Sequence, residues 1–343
     1  MDIEIIFEPD IPPDQLAELA VTAENYGIRA LWASNFWAHW DGFISLVQAA
    51  QVTEKIELGV LAISPFEMHP VKIANAIISL NEISQGRSMV AIGGGGGLLR
   101  VMGKESDPAK LRIVRAVREA IEIVQGAASG EFNQPYKGEL YEFDRPHHYK
   151  WVKHRPARVF ACATEPQMLR MAGRVADSLQ MSDVALPMLD AAMENIQAGL
   201  ARREAPATDF RIGNFWAWHI KEDREASYYE ARRELVFRGS LLPPYSLSHF
   251  LEPDDEKMVI DNWQSFAKAF WTRSGKIENV PGKIVTHLVN ELSSAGDWSD
   301  IDREIERLKK FEAAGLTDIS IRLFDDPVAG LKIIGERVVP AFS

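Results

Sequence analysis

The sequence predicts an α/β protein of the (β/α)₈ TIM-barrel class, and three observations lead there. Eight short runs rich in β-branched residues recur along the 343-residue chain: IEIIF, RALWAS, IELGVLAIS, SMVAIGG, RVFACAT, SLQMSD, IGNFWAWHI and DISIRLF. Near-continuous apolar runs of this length are what parallel strands covered on both faces look like. Longer segments of helical periodicity, such as DQLAELAVTAENYG and VKIANAIISLNEIS, separate them. Prolines mark the joints: Pro12, Pro70, Pro108, Pro166, Pro187 and Pro327 each follow a strand run and precede a helical pattern. Proline suits a first helical turn because its missing N–H would have no partner there.

In chain order, the first strand ends at Glu8, and its helix closes at Gly27. The second ends in Ser34-Asn35-Phe36-Trp37, and the third in Ser64-Pro65-Phe66, with a helix from Pro70 to a closing Gly86. The fourth ends in the uninterrupted glycines Gly93 to Gly97, followed by Asp107-Pro108 as cap and first turn. A hairpin excursion near 126–156 precedes the fifth strand, which ends in Ala163-Thr164-Glu165. The seventh runs toward His219, a helical insertion near 235–281 follows, and Ser299 to Gly315 forms one more helix. Asp326-Pro327 opens the last helix, after the eighth strand. No low-complexity linker divides the chain, so one domain spanning 1–343 is expected. The alternative architecture is a doubly wound sheet, weakened because GxGxxG is missing after the first strand.

Thirty-eight Lys and Arg stand against 49 Asp and Glu, a net charge of −11. That balance argues against nucleic acid or an anionic membrane as partner. The acidic start MDIEIIFEPD lacks the basic flank of a secretion signal, and no apolar run approaches the roughly 18 residues of a membrane span. The single cysteine, Cys162, rules out an internal disulfide and reads as a small buried hydrophobe. A cytoplasmic protein is expected.

In a barrel of this class the site lies at the carboxyl ends of the strands. The strand ends then define a mouth of aromatic, small and hydroxyl side chains with few charges, suited to a planar ligand. Glycines without Cβ atoms let backbone approach a ring or phosphate, a flexible turn being the plain alternative. Thr164 and the free N–H groups after it could hold a phosphate or merely cap a helix. The eight histidines form neither HxH nor HExxH, so no metal is expected. His69 before Pro70 reads as a cap, and His39 and His219 as weak acid–base candidates near the mouth. Glu8 reads equally as a general acid or as part of a solvated cluster.

Several segments together resemble the bacterial-luciferase-like superfamily of flavin- and deazaflavin-dependent oxidoreductases. They are IIFEPD, LWASNFW, LGVLAISPFEMHPVKIANAIISLNEISQGRSMVAIGGGG, ATEPQMLRMAGRVADS and AGLTDISIRLFDDP. The most specific is HPxxxAxxxxxLxxxSxGR with the glycine loop behind it. The likeness is greatest to the methylene-tetrahydromethanopterin reductase branch, which uses coenzyme F420. It covers most of the chain and weakens through the insertion.

The resemblance implies a luciferase-like barrel with the cofactor ring at the strand ends. It places a non-proline cis peptide at Leu61–Ala62 in a bulge of the third strand, with Ser64 beside it. The cofactor would lie against Gly93, Gly94, Gly95, Gly96, Ala163, Thr164 and Glu165. Relatives often carry glycine at the position of Glu165, and many deazaflavin members carry histidine at Asn35. Glu8, Asn35 and His39 would serve catalysis, and Phe36, Trp37, Phe66 and His219 would line the substrate pocket. The implied activity is hydride transfer between reduced F420 and a small organic substrate. The alternatives are an FMN-dependent monooxygenase working through a peroxyflavin, supplied by a flavin reductase, and a catalytically silent flavin-binding relative. The family also implies a homodimer. Arg100 and Lys104 could meet the acidic tail that deazaflavin carries and FMN lacks.

Overall fold

The computed structural model describes every residue except 104–107, 130, 131, 133, 145–148, 205–208, 244 and 343, together with all side chains but those of 97, 100 and 108 among the rest. Asp107 and Lys104 thus lie outside the described residues, as does the side chain of Arg100.

Among the described residues ten strands form: β1 Asp2–Phe7, β2 Ala30–Ser34, β3 Glu57–Ile63, β4 Ser88–Ile92, β5 Tyr136–Lys137, β6 Glu142–Phe143, β7 Arg158–Cys162, β8 Ser178–Ser182, β9 Arg211–Ala217 and β10 Asp318–Arg322. Eight of them close a parallel barrel in the order β1-β10-β9-β8-β7-β4-β3-β2. β1 pairs with β2 on one side (Glu4 opposite Ala30) and with β10 on the other (Asp2 opposite Asp318). Closure excludes the doubly wound sheet. All eight sequence-predicted strands are staves of this barrel.

Helices α1 Pro13–Asn25, α2 Gly42–Val52, α3 Pro70–Ile83, α4 Gly96–Val101, α5 Pro108–Leu111, α6 Ile113–Ala128, α7 Pro166–Val175 and α8 Leu189–Leu200 belong to the first six units. After β9 come α9 Arg224–Glu234, α10 Pro253–Asp261, α11 Trp263–Trp271, α12 Gly282–Leu292 and α13 Ile301–Ala313. α14 Pro327–Ile333 follows β10. Proline occupies the first turn of α1, α3, α7 and α14, as expected. Asp326 caps α14 by accepting from Ala329 N at 3.2 Å, and His69 caps α3 by accepting from Val71 N at 3.4 Å. Gly27 and Gly86 end their helices at φ +79° and +86°, a region glycine enters without strain.

Strand side chains alternate between two cores. Ile3, Ile5 and Phe7 face outward into the layer beneath the helices, whereas Ile6, Trp32, Leu61, Met89, Ala91 and Phe160 fill the barrel interior. Trp32 meets Phe160 edge-on at 5.1 Å. Gly59 is required there, because a Cβ would collide with the Trp32 indole. The amino-end floor is ionic: buried Glu4 accepts from Trp32 Nε1 and Ser320 Oγ, each at 2.6 Å, and pairs with Arg29.

One detail corrects the sequence reading. Gly126 lies inside α6, where a Cβ would stand 2.8 Å from Phe132, so the excursion starts only beyond Ala128. β5 and β6 then make the expected antiparallel hairpin, its turn held by the buried Glu119 carboxylate, which accepts from the N–H groups of Glu139, Leu140 and Tyr141. The Tyr141 hydroxyl donates to Pro65 O at 3.1 Å, pinning the hairpin to the loop after β3.

Candidate active site

The mouth of the barrel divides into two halves. The neutral half is built from the ends of β2, β3, β4 and β7. Asn35 leaves β2 with its backbone N–H on Leu61 O at 2.9 Å. Its amide nitrogen donates to Glu67 Oε1 at 2.7 Å and reaches Ala62 O at 3.4 Å. The other Glu67 oxygen accepts from Ser64 N at 3.1 Å. The pairing of β3 with β4 shifts register between Leu61 and Ile63, and the Leu61–Ala62 peptide is cis, at the bond the family resemblance implied. Burial holds the Glu67 carboxyl above the ordinary range; the Asn35 and Ser64 bonds oppose the rise, and Asp41 nearby adds to it.

Gly93 closes this half. Its N–H donates to Ile63 O at 3.0 Å, and a Cβ on it would stand 3.2 Å from Cys162 Cβ and 3.7 Å from Ala62 Cβ. Three strands therefore end in small residues that meet one another. Beyond them, Gly95 and Gly96 take φ +92° and +41° as the chain turns into α4. A Cβ at Gly94 would stand 2.8 Å from Ile113 and one at Gly95 2.8 Å from Ser64 Oγ, whereas one at Gly96 would meet nothing within 4 Å. Ala163 is buried, with its N–H on Gln180 O, while Thr164 is half-buried. Glu165 is exposed at the entry of α7 and makes no capping bond. Burial pushes the Cys162 thiol up to about 12, so it stays protonated at neutral pH.

The other half, from β8 through β1, corrects the expectation of few charges. Asp183, just past β8, pairs with Arg238 Nη1 at 2.7 Å, both side chains being 1% exposed. Arg322 on β10 pairs with Glu8 at 2.6 Å, and both its guanidinium and that of Arg238 lie over the Phe324 ring. Arg233 and Glu234 pair with each other at 2.6 Å, and Arg233 reaches Asp325 at 2.7 Å. Burial raises the Asp183 carboxyl, with Arg238 and Arg322 opposing. Arg238 comes from the short turns that open the insertion, which therefore lies over this half of the mouth.

Two sequence-predicted residues take other positions. His219 does not line an open pocket: it is 1% exposed, its Nδ1 is 2.7 Å from Glu230, and it stacks on Phe324 at 4.7 Å. Burial holds it below the usual histidine range and Glu230 opposes, an environment for a neutral packed imidazole. Glu8 is not a free acid but the ion-pair partner of Arg322. On the loop after β2, Phe36 and Trp37 stack at 4.4 Å with Trp37 47% exposed, and the exposed His39 ring meets Phe36 edge-on at 6.0 Å. Phe66 is half-buried beside the Ser64 hydroxyl, which accepts its N–H at 3.3 Å. Sequence reasoning passed over Glu67, Asp183 and Arg238. Glu67 sits inside the quoted SPFEMHP run, but only its distance to Asn35, a residue from another strand, gives it meaning.

Among the described residues, no group of three or more His, Cys, Asp or Glu is placed to hold a metal, and no helix is long and apolar enough to cross a membrane. A profile of the luciferase-like monooxygenase family matches residues 5–318. The chain belongs to that family. This luciferase-like chain is 25% identical to a 5,10-methylenetetrahydromethanopterin reductase from Archaeoglobus fulgidus, over 99% of each. It is 30% identical to an F420-dependent glucose-6-phosphate dehydrogenase from Amycolatopsis mediterranei, over 48% of this chain and 52% of the relative. Its fold matches that of the coenzyme F420-dependent tetrahydromethanopterin reductase from Methanopyrus kandleri, with a TM-score of 0.82 at 20% identity and full coverage of both chains.

Proposed function

We propose that the protein is an F420-dependent oxidoreductase that passes hydride between a deazaflavin and a small organic substrate. The observation that carries the reading is the cluster of small residues Ala62, Gly93 and Cys162, found where three strands end. Its support is a chain that matches the Archaeoglobus fulgidus reductase end to end. The residues fit such a group, since small side chains at these strand ends let a ring approach backbone, and a Cβ at Gly96 would meet nothing within 4 Å. When bound, deazaflavin supplies a ring carbon that gives or takes hydride.

The chain's own part is binding, water exclusion and proton handling. Leu61, Ala62, Ser64 and Gly93 to Gly96 would hold the ring side, and Ala163, Thr164 and the turn into α7 the phosphate side. Glu165, exposed, can point away from an anion. Reducing a carbonyl or imine by hydride also needs a proton at the heteroatom. Glu67 is the group suited to supply it, because its raised carboxyl keeps a proton to higher pH than an ordinary glutamate. Asn35 sets its orientation. Phe36, Trp37 and Phe66 would shape the apolar side of the substrate pocket. Arg322 and Arg238, over Phe324, give the opposite wall its charge.

We take the protein to be a cytoplasmic homodimer acting on a small molecule, with neither nucleic acid nor membrane as partner; its −11 charge favours the last point. Titration with F420, followed by deazaflavin fluorescence, tests the reading. Saturable quenching is expected, and none at concentrations where FMN binds would contradict it.

A further inference from the structure

Strands β5 and β6 pair over two residues each, a ribbon with little stability of its own. What fixes its turn is the carboxylate of Glu119, buried on α6. One oxygen accepts from Glu139 N at 2.9 Å, and the other from Leu140 N at 2.9 Å and Tyr141 N at 3.1 Å. Hydrogen bonds to a carboxylate are stronger than neutral ones, and here three of them converge on a helix side chain. Gly138 is part of the arrangement, because a Cβ there would collide with the Glu119 carboxylate.

Held in this way, the turn presents Tyr141 to the segment between β3 and α3. Its hydroxyl donates to Pro65 O at 3.1 Å, and its ring meets His69 edge-on at 5.4 Å. Pro65 and His69 stand two residues to either side of Glu67. One side chain therefore holds both ends of the segment that carries the acid at its middle. Asn35 bonds the Glu67 carboxylate itself, at 2.7 Å. The acid is held by its head group from one loop and by its backbone from the hairpin.

We propose that Tyr141 is a positioning residue for Glu67, its own place set by Glu119, so that the hairpin fixes the acid of the site. The inference rests on the F420 reading for what Glu67 does in turnover. Tyr141→Phe tests it. Burial keeps the Tyr141 phenol above its usual range, so the variant removes one hydrogen bond and no charge. Asp41 at the start of α2, which acts on Glu67, and His69 on the same segment are both left in place. A change at Glu67 then reports geometry.

Glu67 is read directly in ligand-free protein by carbon-13 NMR of its carboxyl, assigned by its loss in Glu67→Gln. Burial is the largest cause of its raised value, so a loosened segment that admits water should lower the midpoint by about half a pH unit or more. Gly138→Ala, which displaces Glu119 with the Tyr141 hydroxyl intact, should do the same. An unmoved or raised midpoint in Tyr141→Phe would overturn the proposal, and one confined to Gly138→Ala would overturn the part given to Glu119.

In turnover of reduced F420 with small carbonyl and imine substrates, Tyr141→Phe should lower kcat about fivefold. Its F420 affinity, from deazaflavin fluorescence, should match that of native protein. In a Glu67→Gln background the same change should cost less than about twofold, since nothing is left for Tyr141 to place. Equal factors in both backgrounds would overturn the positioning role and leave the F420 reading intact. Failure of F420 to bind native protein would overturn that reading, while the NMR midpoints still decide whether Tyr141 holds Glu67.

Discussion

Glu67 and Asn35 make one unit out of two loops. The 2.7 Å bond between them belongs with the Ser64 N–H bond that holds the second carboxylate oxygen. If Glu67 gives the proton in substrate reduction, activity falls as pH rises through its raised value, because the donor is then lost. Glu67→Gln should remove that alkaline limb and lower kcat about 10²-fold, the usual worth of a positioned acid. Asn35→Ala should move the limb upward, since the bond it deletes is one that lowers the Glu67 carboxyl. A pH profile of kcat for the three proteins checks both, and an unchanged limb in Glu67→Gln would assign it elsewhere. Gly93 makes a second test. Gly93→Val would push methyl groups into the space bounded by Cys162 and Ala62. Deazaflavin affinity should fall at least about tenfold, with about 1–3 kcal/mol lost from stability by overpacking. Valine at Gly94 or Gly95 is a poorer probe, because Ile113 and Ser64 Oγ already occupy that space.

Among the elements, the strands were legible and the charged half of the mouth was not. Parallel strands inside a barrel announce themselves by composition, as in SMVAI, with all five residues buried. Proline marks the entry of α1, α3, α5, α7 and α14, and the cis bond stands where the family resemblance implied it. The insertion has no such periodicity, and its Arg238 gains meaning only beside Asp183, 55 residues earlier. The Asp183–Arg238 pair ties the insertion to the barrel and can be measured. Arg238→Ala leaves a buried carboxylate without its partner and should cost about 3–5 kcal/mol in urea unfolding. Adding Asp183→Asn should recover much of that loss, because the uncompensated charge goes with it. Equal losses in the single and double variants would mean that the pair carries no coupling.

For the molecule as a whole, the barrel interior is apolar at mid-height and ionic at the floor, where Glu4, Arg29 and Asp318 meet. The hairpin and the insertion are each bonded to barrel loops, through Tyr141 to Pro65 and Arg238 to Asp183. If 1–343 is one domain, calorimetry gives a single cooperative transition, and two resolved transitions would assign the insertion its own unit. The activity itself is decided by turnover with oxygen monitored. Purified protein is given reduced F420 and a panel of small carbonyl and imine substrates in a sealed cell, with FMN and a flavin reductase in a parallel cell. Hydride transfer predicts oxidation of the deazaflavin, seen as return of its absorbance, with one substrate reduced per cofactor and no oxygen consumed. Oxygen uptake coupled to product in the FMN cell, with reduced deazaflavin untouched, would contradict it.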